Sequence, residues 1–456
     1  MALPQALSYD VLPNSAMSRT YKSVISSRNN TTFNCNQRME FSLPQSESSY
    51  IDLTNISLKF KLQATVNGGG GSSQGAHLDF SVLSAISRVV VSCGGQVLSD
   101  ISGYNYLATA LIQASSSPES LNSYGRAGLG CSGVQDLPLL GDQVTLAGKY
   151  YSIPMSLGIF SAKKMLPLDL SSPVVISIYL TSLEETVFCP TNNDDIPANL
   201  QFSECEIHAY VCQLNAEAQL FLDNSLGEMS YNWNITDVSN MSVAHGTGNT
   251  STVLPFRYSS LKSVVQLIRN STSIGNTGEF SVSGRSKNGL SEFYLDVGGD
   301  IVPSRRIRCA NNDIGEVMTE SMVALFGNTE ISHQGSLNTT HINRIQNAAG
   351  DALDVYPAFK STNNFGLDNS QLANPHTYSN GTHTPGTFLA AISLESYKPA
   401  TDSESLMCGL NTIGSQISWN NKASGAGNTA ATYEFYGFYD SVISLDPVTR
   451  ILTANA

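Results

Sequence analysis

Histidines, cysteines and paired carboxylates are the raw material of an active or metal site, and this chain arranges few of them usefully. His208 lies between Ile207 and Ala209, with Cys205 and Cys212 nearby, a donor set that could hold a transition metal. The stretch reads as a strand, however, and alternation puts Cys205 and His208 on opposite faces. His333, His341, His376 and His383 fall in one polar stretch, where they read as ordinary exposed side chains titrating near pH ~6. Gly71-Ser-Ser-Gln-Gly75 has the letters of a nucleophile elbow, but no helix opens behind Ser73 to aim its hydroxyl. The adjacent acids Glu184-Glu185 and Asp194-Asp195 read as loop charge, because glycoside hydrolysis needs two carboxyls about 5 to 9.5 Å apart across a cleft. The aromatics of Tyr433-Glu-Phe-Tyr-Gly-Phe-Tyr439 could stack sugars or bases, but at strand spacing they pack a core or an interface. No His-Glu-x-x-His occurs. The expectation is a protein that is not an enzyme, with no catalytic residue, no cofactor or cofactor-binding residue, and no metal ligand.

Composition points the same way. A chain of 456 residues exceeds one ordinary core, and about two domains of roughly 200 residues are expected. With 41% hydrophobic and 13% charged residues, sizeable cores can form while Ser, Thr, Asn and Gly dress the surface. The formal net charge of −13 argues against direct, sequence-specific nucleic-acid binding, which needs a concentrated basic face. Eight cysteines lack paired short spacings, so reduced thiols are expected rather than a zinc site or a disulfide scaffold. The opening residues show no charged stretch leading into an apolar one, and no apolar run approaches the ~18 residues that span a bilayer. Neither a secreted precursor nor an integral membrane protein is expected.

The elements that would position any site come in a repeated order. Ile86–Cys93, the turn Gly94-Gly95 and Gln96–Ile101 form a hairpin, because two glycines tolerate the positive φ of a tight turn. A helix follows, with Tyr104, Leu107, Ala108, Leu111 and Ile112 on one face. Glu292–Val297, Gly298-Gly299 and Asp300–Val302 repeat the hairpin, and a second helix carries Val317, Met318, Met322, Leu325 and Phe326. Alternation marks a strand through Ile56–Val66, another at Val174–Leu180 and a third at Glu206–Cys212, after which Asn215 caps a short helix. Tyr433–Ile443 echoes Glu206–Cys212. Matching landmarks recur at offsets of 208 residues (Tyr50 to Tyr258), 204 (Gly94 to Gly298) and 228 (Glu206 to Glu434). Two copies at such spacing mean duplicated domains, and the larger last offset places an insertion in the second.

Each half reads as strands interrupted by one helix, the layout of a jelly roll with two packed antiparallel sheets. The expected organisation is an all-β chain of two tandem eight-stranded jelly rolls: an arm over 1–37, a first roll over 38–227, and a second over 228–456 with a long polar insertion at about 328–387. Tyr50–Phe60, Leu157–Asp169, Leu254–Lys262 and Asp296–Ser304 together resemble stretches of the double jelly-roll major capsid proteins. That lineage includes adenovirus hexon and the coats of tailless membrane-containing phages, virophages and Polinton-like viruses. The resemblance implies a structural protein that self-assembles as pseudo-hexameric homotrimers into an icosahedral shell. Its implied partners are itself, neighbouring capsomers, penton and minor capsid proteins, and an inner membrane where the virus has one. It implies residence in the virion, and in host cytoplasm or nucleus before assembly. The polar insertion would be an outward tower and the arm an inward tie. The rival reading is a carbohydrate-binding or glycan-processing double β-sandwich, because that architecture also hosts lectins and glycan-processing enzymes.

Overall fold

The computed structural model describes residues 18–65, 77–116, 120, 125, 127–130, 148–162, 164–188, 197, 199–226, 231–271, 274–277, 280–285, 287–309, 315–326, 345–346, 352–353, 388–396, 407–423, 428–446 and 448–455. Four antiparallel sheets dominate these residues and form two sandwiches. In the first, Ser18–Ser26, Asn199–Leu214, Ser49–Thr65 and Lys149–Pro154 lie side by side in that order. Its facing sheet runs Arg38–Ser42, Val174–Leu180, Ile86–Cys93, Gln96–Ser102. In the second, the orders are Tyr231–His245, Ala431–Leu445, Leu261–Asn270, Ala390–Ser393 and Thr250–Leu254, Ile417–Ala423, Leu290–Val297, Asp300–Arg308. Strand for strand, the second connectivity copies the first. The fold is a double jelly roll.

Both hairpins turn where the glycine pairs predict, with φ of 57° and 87° at Gly94 and Gly95 and 64° and 102° at Gly298 and Gly299. Helix α1 (Tyr104–Ser115) and helix α3 (Gly315–Phe326) follow their hairpins. Between them, α2 (Ala216–Leu226) starts where expected, with the Asn215 side chain accepting the Ala218 amide at 2.8 Å.

Alternation builds the cores, and it survives two interruptions. Along Ser49–Thr65 the buried positions pass from Ile51 and Leu53 to Ile56, Leu58, Phe60 and Leu62, a change of parity that would put one set in water. A register shift opposite His208 and Tyr210, where Ser57 and Asp52 are their partners, absorbs an odd number of extra residues and so restores the face. There the Asp52 carboxylate accepts the Thr54 amide and hydroxyl at 3.0 and 2.7 Å, fixing the irregular turn. Asn199–Leu214 does the same between Phe202 and Cys205, where Glu204 takes φ 51° and the pairing shifts. Such bulges keep both segments facing one core.

Several strands escape the sequence reading. Ser18–Ser26 and Thr32–Asn34, inside the stretch read as an arm, pair antiparallel with Asn199–Leu214. The expected strand at Glu206–Cys212 extends over Asn199–Leu214, and Asp300–Arg308 continues past Pro303. Pro303 is tolerated because that strand is the edge of its sheet. The polar insertion lies outside the described residues, apart from the pairs Ile345–Gln346 and Ala352–Leu353.

Candidate functional site

The residues singled out for chemistry do not converge. His208 Nε2 sits 3.0 Å from Glu206 Oε2, while Cys205 faces the core, where burial pushes its thiol up to about 12. Among the described residues no three His, Cys, Asp or Glu side chains stand together to hold a metal ion. Ser73, Asp194, Asp195, His333, His341, His376 and His383 lie outside the described residues. Glu184 and Glu185, expected as loop charge, belong instead to a helical turn, Leu183–Thr186. Glu185 accepts the Tyr106 and Thr181 hydroxyls at 2.9 and 2.6 Å. Of the terminal aromatics, Tyr433 and Phe435 fill the second core, while Tyr439 stacks on Tyr258 with centroids 3.7 Å apart.

Charge gathers elsewhere, at the seam where the first sandwich lies against the outer face of the second. Sheet alternation gives Ala431–Leu445 two buried faces: Tyr433 and Phe435 point into their own core, while Glu434 and Tyr436 point at the first roll. Val265, Leu267, Leu389 and Ala391 share that outer face and join the core of the first roll. The seam is thus apolar for much of its area, which supplies the larger part of its stability.

Three polar clusters are set into it. Arg269 Nη2 donates to Glu434 Oε1 at 2.7 Å, and its guanidinium lies 3.7 Å from the ring centre of Tyr106 on α1. The Ser242 hydroxyl donates to the same carboxylate at 2.9 Å. Burial alone would lower the Arg269 pKa, and Tyr106 and Glu434 more than reverse it. Nearby, the Tyr436 hydroxyl donates to the Gly103 carbonyl at 2.9 Å. In the second cluster, Asp79 accepts the Val282 and Ser283 amides at 2.6 and 3.2 Å. Desolvation of this fully buried carboxyl pushes it up to about 6, against the opposing pull of its donors. Arg285, also fully buried, donates to Gln113 Oε1 on α1 and to the Phe388 carbonyl. Desolvation takes its pKa down to about 10, and the charge of Asp79 pulls the other way. In the third cluster, the Ser99 hydroxyl donates to Asp237 at 2.7 Å and Tyr439 donates to the other oxygen at 3.1 Å.

Buried polar contacts add little net stability, since desolvation offsets most of the attraction, but they admit only one register. The seam therefore makes one block of two rolls. No motif marked these residues in the sequence. Of them Glu434 stood out as the counterpart of Glu206, and Tyr436 and Tyr439 as members of the terminal aromatic run, but nothing in its neighbours announced that Glu434 would be buried.

Comparison with known proteins supports the fold. No family model matches the chain, and no curated protein matches it. Among solved structures it superimposes on a chain of the PBCV-1 virus capsid with a TM-score of 0.58 and 11% identity, over 98% of each chain. A chain of the Sputnik virophage matches with a TM-score of 0.57 and 7% identity, covering 100% of this chain and 92% of that one. The Faustovirus major capsid protein matches with a TM-score of 0.51 and 9% identity, over 96% and 92%. The chain has the double jelly-roll fold of viral major capsid proteins. At such identities the likeness is one of architecture, end to end.

Proposed function

We propose that the chain is the major capsid protein of a virus, a structural subunit that self-assembles as pseudo-hexameric homotrimers into an icosahedral shell. The observation that carries this reading is the duplicated topology, locked by a buried seam and matched over nearly the full length of capsid chains. Two similar but non-identical rolls let a threefold assembly fill sixfold surroundings, with each edge tuned separately. In this reading the two rolls divide near residue 227, the first takes in Ser18–Ser26 and Thr32–Asn34 from the stretch read as an arm, and the residues ahead of Ser18 are the arm that ties the subunit to its neighbours. The insertion at 328–387 is the outward tower. Partners are further copies of the chain, penton and minor capsid proteins, and an inner membrane where one exists. The protein resides in the virion after passing through host cytoplasm or nucleus. It catalyses nothing, and its burial of Asp79, Arg269 and Arg285 belongs to architecture. Light scattering on the purified chain tests this directly. A stable species of three copies is expected, and a monodisperse monomer that binds glycans would favour the lectin-like alternative.

A further inference from the structure

The seam between the rolls is not packed to the same density throughout. Near the place where α1 and α3 touch, through Ala114, Met318 and Leu325, Leu111 and Leu157 of the first roll and Val238, Leu325 and Phe438 of the second line a cavity of about 410 Å³. That volume suits a small molecule. Leu111, Leu157, Leu325 and Phe438 pack against the shared core yet are only half-buried, so apolar surface from both rolls is left open in one place.

One end of the cavity is polar, and strand alternation puts it there. Leu389 and Ala391 point at the first roll, and the same parity carries Glu395 to the cavity, as it carries Phe438 there after Glu434 and Tyr436. Lys262 stands beside Glu395. Its ammonium lies 3.4 Å from Glu395 Oε1, 3.6 Å from Asp440 Oδ1 and 3.5 Å from the Thr236 hydroxyl. Charge-assisted bonds normally close to about 2.7 to 2.9 Å, so each of these contacts is long. Glu395 Oε1 is held no more tightly, since its other donor, the Cys408 thiol, is 3.4 Å away. Asp440, by contrast, is well bonded, accepting the Ser260 hydroxyl at 2.6 Å and the Asn234 amide at 3.2 Å. Burial works against the Lys262 charge, and Asp440 and Glu395 more than restore it.

We propose that this cavity binds an uncharged single-chain amphiphile with a hydroxyl-bearing head, of the monoacylglycerol type, its head at Lys262 and Glu395 and its chain along Leu111, Leu157 and Phe438. Charge selects the head. Lys262 already faces two carboxylates, so an anionic head would bring a third negative charge to a single cation. A cationic head would compete with Lys262 for Glu395. A neutral head avoids both penalties, because one of its oxygens accepts from the ammonium at full strength while a hydroxyl donates to Glu395. The chain supplies the driving force by covering the half-buried apolar walls. Those walls belong to both rolls, so a bound molecule ties the rolls together and stabilises the folded chain. The cavity lies within one chain, and its occupancy does not depend on shell assembly.

Isothermal titration of the full-length protein with 1-decanoylglycerol, kept below its micelle concentration, tests the site, with decanoate and decyltrimethylammonium as the anionic and cationic comparators. Saturable binding of one molecule per chain is expected, with both comparators at least about tenfold weaker for want of the paired bonds to Lys262 and Glu395. Ala324 and Ser161 line the cavity without being packed into a core, so Ala324→Phe and Ser161→Phe each place a ring inside it. Both should weaken binding at least about tenfold, whereas Val253→Phe, on an exposed side chain of another sheet, should not change it. Circular dichroism melts verify that each variant folds, and the comparison of the three ligands on the wild type needs no variant. Absence of saturable binding, wild-type affinity in a folded filling variant, or equal weakening by Val253→Phe overturns the site. Binding of decanoate or decyltrimethylammonium as tight as that of 1-decanoylglycerol overturns the proposed head group.

Discussion

Arg269→Met removes the cation at the centre of the seam, and its cost follows from what is left behind. The Arg269 and Glu434 side chains are 4% and 3% exposed, so the substitution strands a carboxylate that water cannot reach. Loss of one partner of a buried ion pair costs about 3 to 5 kcal/mol. The exposed pair Arg88 and Asp100, at 44% and 33% exposure, sets the comparison, because breaking such a surface pair costs about 0 to 1 kcal/mol. Glu434→Gln is expected to cost nearly as much as Arg269→Met, since it leaves the guanidinium against Tyr106 without its counter-charge. The double substitution Arg269→Met/Glu434→Met removes both charges and should cost clearly less than the sum of the singles. Urea unfolding at fixed protein concentration, followed by tryptophan fluorescence, reads these differences. Trp233 packs in the shared core and Trp419 in the second core, so Trp419→Phe leaves a reporter confined to the seam. Single substitutions costing less than about 1 kcal/mol, or singles that simply add, would refute the reasoning.

Other outcomes follow from the same contacts. The Asp79 carboxyl holds its proton more tightly folded, near about 6, than at its ordinary 3.8, so its contribution is present below pH ~4 and fades as pH rises through ~6, by about 3 kcal/mol in all. Asp79→Asn, with Arg285 still beside it, should remove that slope from stability measured between those pH values, and an unchanged slope would count against it. Gly158→Ala should lower stability by about 1 to 3 kcal/mol in thermal melts, because a Cβ there would stand 2.3 Å from Ser99 Oγ at a φ of +63°. Gly95→Ala, with open space around it, should cost only the ~1 kcal/mol of a left-handed alanine; equal losses at the two sites would sink the distinction. Burial pushes the Cys205 and Cys309 thiols up to about 12, so both should resist a thiol reagent at neutral pH until urea unfolds the chain, and rapid labelling of the native protein would contradict their placement.

Much of the architecture was legible because it is written twice. The glycine pairs announced both hairpins, and the offset read from Glu206 falls on Glu434, which lies opposite Leu267 as Glu206 lies opposite Lys59. What stayed hidden has physical causes. Ser18–Ser26 is an edge strand with mostly exposed side chains, so it shows no alternation to read. The bulges at Asp52 and Glu204 break the period of two, which is why Phe202 and Cys205 could not be assigned to one face. The buried charges were least legible of all. Asp79 bonds to residues some 200 positions away, and Arg269 is enclosed by Tyr106, Glu434 and Ser281, of which Tyr106 belongs to the other roll. A charged residue reads as surface until the contact that encloses it is known.

If two jelly rolls in one chain form the unit tile of a shell, single-particle electron microscopy of the purified protein should show closed particles of three copies with six upright lobes. Isolated two-lobed monomers, or open filaments in place of rings, would contradict it.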